Sequence, residues 1–327
     1  MTEYVVNGGK KLNGEVHISG SKNASLPILA ASILASGKTT LYNVPNISDT
    51  RLTIKILEGL GCKVKKNKDK LQIDSKNMNK HEIPEHLMRC MRSTVIMAGA
   101  ILGRFKEVTF SYPGGCDIGE RAIDLHLDAF RKLGIDIEEK SGFIICKCDK
   151  IIGNEIHLDF PSVGATENII LASVLAEGVT TISNAAMEPE IVDLADALNK
   201  MGANILGAGT NFIEIKGVKK LKEISYRIMP DRIEAGTFLC MAAATGGNVI
   251  VKDCKPEHLV PIVHKLEECG CDIKVSKNEI EIRAAKKLKA VDIKTLPYPR
   301  IPDGYAVNFC KYIDNCKRNI YYSREYI

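Results

Sequence analysis

A small-residue apolar helix closing on glycine recurs four times along this chain, and that recurrence constrains the fold more than any single motif. The segments run over 24–37, 91–103, 165–178 and 233–246. Their closing glycines, Gly37, Gly103, Gly178 and Gly246, are 66, 75 and 68 residues apart (103−37, 178−103, 246−178), and each is expected to cap its helix in the left-handed conformation. A strand rich in β-branched residues is predicted after each, over 39–44, 108–112, 180–184 and 249–253. A second, amphipathic helix then ends in Leu60-Gly61, Leu133-Gly134, Met201-Gly202 or Cys269-Gly270. These glycines are 73, 68 and 68 residues apart (134−61, 202−134, 270−202), in phase with the first set. Two short strands close each repeat, giving a unit of helix, strand, helix, strand, strand.

One sheet and two helices per unit predict an α/β layer architecture in which helices of neighbouring units pack together. Helices so rich in Ala and Ser permit close approach, which argues for burial inside a ring of sheets. The chain has 327 residues, enough for two domains with cores of normal size. A fifth unit is due near Asp303, but residues 303–327 have neither the small-residue face nor the closing glycine.

The chemistry is expected in Ser111-Tyr112-Pro113-Gly114-Gly115-Cys116-Asp117-Ile118-Gly119-Glu120-Arg121, a cysteine in a Pro-Gly-Gly turn ahead of a helix. Helix N–H groups and a nearby guanidinium favour the thiolate; an ordinary loop cysteine is the alternative. The other cysteines of the eleven lack zinc-site spacing, since Cys146-Lys-Cys148 and Cys269-Gly-Cys271 are each one residue short of CxxC. No metal or organic cofactor is indicated. Without a signal peptide at Met1, these read as reduced cytoplasmic thiols. A net charge of +5 with no long charged block points away from nucleic acid and membrane surfaces and suits an anionic small substrate. The longest apolar run, 24–35, holds Pro27 and falls short of the roughly 20 residues of a membrane span.

Lys22, after Ile18-Ser-Gly-Ser21 and ahead of a helix, is placed to hold a phosphate with backbone N–H groups, or else is simply solvated. Arg121 offers a planar fork to a phosphate or carboxylate, or pairs with Asp124 at i,i+3. Arg92 lies in an otherwise apolar helix and needs a partner unless it snorkels to the surface. His126 reads as a packing or orienting group, and Asp231 and Glu188 as turn, cap or pairing residues.

Taken together, Gly20-Ser-Lys-Asn-Ala24, Met91-Arg-Ser93, Pro113-Gly-Gly-Cys-Asp-Ile-Gly-Glu-Arg121, Asp124-Leu-His-Leu127, Pro161-Ser-Val-Gly-Ala-Thr-Glu-Asn168, Glu188-Pro-Glu-Ile-Val-Asp193, Pro230-Asp-Arg-Ile-Glu-Ala-Gly236 and Thr295-Leu-Pro-Tyr-Pro299 resemble the UDP-N-acetylglucosamine enolpyruvyl transferases. The related shikimate-pathway transferases share the repeat but differ at the Pro-Gly-Gly-Cys loop. The resemblance implies two domains of three units each, in an inside-out α/β barrel, with the active site in the cleft between them. By it, residues 22–229 form one complete domain, and 1–21 with 230–299 part of another. It implies transfer of the enolpyruvyl group of phosphoenolpyruvate to the 3′-hydroxyl of UDP-N-acetylglucosamine, with loss of phosphate, as the first committed step of peptidoglycan synthesis. Cys116 takes the place of the general acid; Lys22, Asn23 and Arg121 look like phosphoenolpyruvate contacts. Arg92, Arg121, Ala122, Ile123, Asp124, Leu125, Ser162, Val163 and Gly164 look like contacts to the sugar nucleotide.

Family members continue from this Tyr-Pro into Gly-Phe-Pro-Thr-Asp-Met-Gln, whereas this chain reads Arg300-Ile-Pro-Asp-Gly-Tyr-Ala306. Codons such as CCA AGG ATT CCC GAC GGA TAT GCA would encode Pro299 to Ala306, and deleting one A after CCA from that run gives Pro-Gly-Phe-Pro-Thr-Asp-Met. Residues 300–327 are therefore expected to be an out-of-frame tail. With the family aspartate absent in frame, little turnover is expected; the competing reading is a non-catalytic truncation product.

Overall fold

The computed structural model describes residues 5, 8–114, 123–294, 297–299 and 322–323. The chain divides into two compact units, Gly20–Met229, and Met1–Ser19 with Pro230–Ile327.

In Gly20–Met229 the small-residue helices are Lys22–Ala31, Ile96–Phe105 and Val163–Ser173. From Ala24 to Ala31, Ile96 to Gly103 and Ala165 to Ser173 every residue is buried, so these helices are apolar all round because they have no solvent face. Glycine sets their spacing. A Cβ on Gly99 would lie 2.5 Å from the Asn168 carbonyl oxygen, and one on Gly103 2.8 Å from that of Leu171. The amphipathic helices Ser48–Gly59, Asp124–Lys132 and Pro189–Met201 bury one stripe each.

Each sheet repeats one plan. The central hairpin strand pairs antiparallel with both neighbours, as in Lys70–Asp74 between Lys38–Tyr42 and Lys63–Asn67. The same holds for Phe143–Lys147 between Glu107–Ser111 and Asp136–Lys140, and for Phe212–Lys216 between Val179–Ser183 and Asn204–Leu206. A short parallel strand, which the unit read from sequence lacked, then joins the outer edge. Glu155–His157 pairs with Val179–Ser183, and Ser225–Arg227 with Lys38–Tyr42. That last pairing joins the end of the unit to its beginning. A single bridge from Glu82 to Thr109 takes the equivalent place in the third sheet.

The second unit carries one such repeat. Helix Arg232–Thr245 and strands Asn248–Lys252, Asp272–Val275 and Glu279–Arg283 take Asn13–His17 as the parallel edge strand. Its core, with Leu239, Cys240, Val251, Leu266, Cys269 and Ile282, is a cluster of its own. Ile293–Lys294 pairs with Tyr322–Ser323.

The expected glycine caps are corrected at three of four sites. Gly246, at φ +67, ends its helix in the left-handed conformation, but the first helix stops at Ala31, before Gly37. Gly103 lies inside a helix capped by Lys106 at φ +63, and Gly178 falls beyond Ser173. Left-handed glycines instead close the second helices, at Gly61, Gly134, Gly202 and Gly270. The buried helices Lys22–Ala31 and Val163–Ser173 run on into further turns, Ile33 N–H donating to the Ala30 carbonyl and Ala176 N–H to that of Ser173, whereas helices facing water need a local cap.

Candidate active site

The connection from first strand to second helix is unequal among repeats. It spans 43–47 and 184–188, five residues each, and 253–259, seven residues; between Ser111 and Asp124 it spans 112–123, twelve residues. Asn43, Asn184 and Asp253 leave their strands at φ +60, +55 and +57, a conformation Asn and Asp tolerate best after glycine. Tyr112 stands in their place in the long connection. Cys116, Arg121 and Ala122 belong to this insertion and lie outside the described residues. Its base is described: Gly114 N–H donates to the Met88 carbonyl, and a Cβ on Gly114 would lie 1.8 Å from the Arg89 carbonyl oxygen.

Lys22 is the first residue of the Lys22–Ala31 helix, capped by Ser21, whose Oγ accepts from Ala24 N–H at 3.3 Å. Its Nζ lies 3.4 Å from Asp49 Oδ2 with the Lys22 side chain 45% exposed, and the adjoining Asn23 is exposed. Arg92 does not sit within an α-helix. It opens the 3₁₀ turn Arg92–Val95 that leads into Ile96–Phe105, and the residue is half-buried.

Ile123, Asp124 and Leu125 form the start of the Asp124–Lys132 helix, and Ser162, Val163 and Gly164 that of Val163–Ser173. Ser162 Oγ accepts from Ala165 N–H, and Thr166 Oγ1 donates back to the Ser162 carbonyl. The N–H groups of Val163, Gly164, Asp124 and Leu125 have no acceptor among the described residues. Both segments therefore present open helix N-termini, which favour anionic groups. A cleft of ≈ 310 Å³ lies beside them, between the Asp124–Lys132 helix and Glu155–His157; of the expected site residues it touches Leu125 alone.

His126 joins these pieces. The residue is 4% exposed, and burial, with the charge of Arg92 adding to it, pushes its pKa down to about 4, so it is neutral at pH 7. Its Nδ1 is 2.7 Å from Asn168 Nδ2, which also donates to the Val95 carbonyl at 3.0 Å; Asn168 Oδ1 accepts from Gly99 N–H at 2.9 Å. Gly164 lies against the ring, a Cβ there being 3.2 Å from Cε1 and 3.5 Å from Nε2. Sequence reasoning left His126 as a packing group and gave Asn168 no role, since 42 residues separate them and the contact exists only through helix packing.

Elsewhere Glu167 is fully buried, and burial, then the nearby Glu190 and Glu188, hold its carboxyl well above the usual range. Asp231 caps the Arg232–Thr245 helix, accepting from Ile233 and Glu234 N–H. Among the described residues no cluster of His, Cys, Asp or Glu is placed to hold a metal, and no helix is long and apolar enough to cross a membrane.

The EPSP synthase (3-phosphoshikimate 1-carboxyvinyltransferase) family matches residues 6–311, a range wider at both ends than the motifs between Gly14 and Pro299. UDP-N-acetylglucosamine 1-carboxyvinyltransferase 2 of Caldanaerobacter subterraneus subsp. tengcongensis is 53% identical over 303 residues, covering 92% of this chain and 73% of that protein. The Geotalea daltonii UDP-N-acetylglucosamine 1-carboxyvinyltransferase is 45% identical over 309 residues, covering 94% and 74%. Among solved structures, the enolpyruvyl transferase NikO of Streptomyces tendae superposes with a TM-score of 0.82 at 20% identity, covering 94% of this chain and 73% of that one. EPSP synthase of Acinetobacter baumannii gives 0.68 at 18%, covering 93% and 69%. The two structures share the fold with this chain, and the matched family and sequence identities go further: the chain belongs to the enolpyruvyl transferases, among the UDP-N-acetylglucosamine 1-carboxyvinyltransferases.

Proposed function

We propose that this chain transfers the enolpyruvyl group of phosphoenolpyruvate to the 3′-hydroxyl of UDP-N-acetylglucosamine, releasing phosphate. The observation that carries the reading is the 53% identity to a UDP-N-acetylglucosamine 1-carboxyvinyltransferase across 92% of the chain. In that role the protein belongs to cytoplasmic peptidoglycan synthesis and, through the wall, to cell shape, the cell cycle and division.

The reaction adds the hydroxyl to C2 of phosphoenolpyruvate while C3 takes a proton, then eliminates phosphate. Cys116 is the proton donor to C3. Lys22, Asn23 and Arg121 hold phosphoenolpyruvate, an assignment supported by a part-exposed ammonium at a capped helix start. For Lys22 to reach the ligand it must give up Asp49, an exchange that costs little because this pair is part-exposed. Arg92, Arg121, Ala122, Ile123, Asp124, Leu125, Ser162, Val163 and Gly164 hold the sugar nucleotide. Support comes from the two adjacent helix starts with open N–H groups, which suit a diphosphate.

In this reading residues 22–229 are a complete three-unit domain, 1–21 with 230–299 contribute part of a second, and 300–327 are read out of frame. Resequencing the codons after Pro299 checks the last point; codons that do not permit the shifted reading refute it. The functional reading is tested by calorimetric titration with UDP-N-acetylglucosamine and, separately, with 3-phosphoshikimate. Saturable binding of the sugar nucleotide alone is expected. Binding of 3-phosphoshikimate with no response to UDP-N-acetylglucosamine overturns the proposal. A phosphate-release assay with both substrates then gives the rate, expected to be low because the family's Pro-Thr-Asp-Met aspartate has no in-frame counterpart.

A further inference from the structure

The four repeat sheets share one plan but not one charge. The strands Lys38–Tyr42, Lys63–Asn67, Lys70–Asp74 and Ser225–Arg227 bear five lysines and Arg227 against the single acid Asp74, a net +5, as large as the net charge of the whole chain. The strands of the sheet around Phe143–Lys147 sum to −2, and those of the sheets around Phe212–Lys216 and Glu279–Arg283 to −1 each. The fold therefore does not require this charge. Register gathers it on one face: Leu71 and Ile73 are buried, while Lys70 lies opposite Asn67 and Tyr42, with Arg227 beyond Tyr42, and Asp74 lies opposite Lys63 and Lys38. Lys65, opposite Gln72, completes the face, and Lys68 in the hairpin turn adds to it. Lys38, Lys63, Lys65, Lys66 and Lys68 are exposed. Asp69 pairs with Arg227 at 2.8 Å, whereas none of these lysines forms an ion pair among the described residues. No run along the chain announces the face, because Lys38 and Arg227 are brought to the 63–70 hairpin only by strand pairing.

Lysines on an edge strand block edge-to-edge pairing, which accounts for Lys63, Lys65 and Lys66. It does not account for Lys38 and Lys70 on the inner strands, and the corresponding edge strands Asp136–Lys140 and Asp272–Val275 carry −2 and 0. Nor does the face suit a partner recognised by close packing or by stacking. Protein interfaces are depleted in lysine. Single strands of nucleic acid need aromatic platforms, and the one aromatic side chain on the face, Tyr42, has the Arg227 guanidinium 5.9 Å from its ring centroid. Unpaired, flexible ammonium groups on an open sheet suit charge that is dense, mobile and without fixed geometry, as in a layer of anionic headgroups. We propose that this sheet face is an electrostatic docking surface for an anionic lipid bilayer, holding the chain at the membrane surface without inserting any segment into it.

The test sediments the full chain with vesicles of phosphatidylcholine alone and with vesicles holding equal parts of phosphatidylcholine and phosphatidylglycerol. Binding to the mixed vesicles alone is expected, present in about 0.05 M salt and lost in about 0.5 M, where screening is strong. Lys65→Gln/Lys68→Gln is expected to weaken that binding about 10- to 30-fold, the share of two lysines beside a charged membrane. Lys286→Gln/Lys287→Gln removes the same charge from exposed positions of the other unit and is expected to leave binding nearly unchanged. If the first variant unfolds at lower urea than the unmodified chain, Lys38→Gln/Lys63→Gln carries the same expectation. No binding to the mixed vesicles, equal binding to both kinds, binding that survives the higher salt, or equal losses in the two lysine pairs overturns the inference. Displacement from the mixed vesicles by duplex DNA at equal phosphate concentration overturns it too, and assigns the face to nucleic acid.

Discussion

Replacing Gly99 by alanine probes the closest helix contact in the larger unit. The added Cβ would lie 2.5 Å from the Asn168 carbonyl oxygen, 2.6 Å from its Oδ1 and 3.0 Å from its Cα. Two of these are main-chain atoms of a fully buried helix, so no rotamer change relieves the overlap and the helices must separate. Overpacking of this kind costs about 1–3 kcal/mol. Separation also stretches the buried 2.9 Å bond from Gly99 N–H to Asn168 Oδ1, worth about 1 kcal/mol. Alanine returns about 1 kcal/mol through its better helix propensity. The net expectation is a loss of about 1–3 kcal/mol, a large share of the 5–15 kcal/mol typical of a domain. Urea unfolding followed by far-ultraviolet circular dichroism reads it as a lowered midpoint at unchanged slope. Gly134→Ala is the comparison: at φ +80 with nothing within 4 Å, it meets only backbone strain, about 1–2 kcal/mol. A Gly99→Ala protein that unfolds at the original midpoint or above it would refute the close helix approach and, with it, the Asn168 geometry that orients His126.

Three further outcomes are expected. Glu167 is held protonated in the fold at a pH where the unfolded chain has ionised it, so its contribution to stability is present below the unfolded pKa near 4.5 and is lost as pH rises above it. Glu167→Gln, which mimics the protonated form, should match the unmodified chain at pH 4 and exceed it in stability at pH 8; a constant difference across denaturant titrations at the two pH values contradicts this. Arg104 donates to the Ile33 carbonyl at 2.6 Å and the Ser75 carbonyl at 2.8 Å, so Arg104→Leu strands two acceptors and should lower stability by about 2–4 kcal/mol in the same unfolding assay. Burial raises the thiol pKa of Cys62 and Cys254 to about 11 and of Cys146 and Cys240 to about 12, whereas Cys90 is exposed. Peptide mass mapping after brief alkylation at pH 8 should find Cys90 modified and those four protected until the protein unfolds; early labelling of any of the four counts against the described cores.

Much of the architecture was legible because it is repetitive. Glycines in two phased sets announced the repeat, and β-branched runs placed first strands within two residues of where they lie, as with 39–44 against Lys38–Tyr42 and Val108–Tyr112 against Glu107–Ser111. The role of each glycine was less legible. Gly103 serves helix contact and Gly61 serves capping, yet both follow an apolar run, and only their neighbours in space distinguish them. The short parallel edge strands escaped notice because three residues such as Glu155–His157 carry too little pattern to be read alone.

The same division runs through the candidate site. Its principal loop stood out in the sequence, as an unusual Pro-Gly-Gly-Cys segment in the place where the other repeats have a short turn. The residues read as nucleotide contacts proved to be two helix starts, a placement their Ser162 cap signal permits. Family membership, too, was determined by the sequence, since ordered motifs along 92% of the chain survive as residue identity. What only the tertiary structure decided is the state of His126. Burial sets its charge, and its Nδ1 meets an amide 42 residues away that also takes a backbone N–H from a third helix. A local sequence encodes which groups exist and their backbone preferences; proton position depends on the dielectric and hydrogen-bond partners that packing alone brings together.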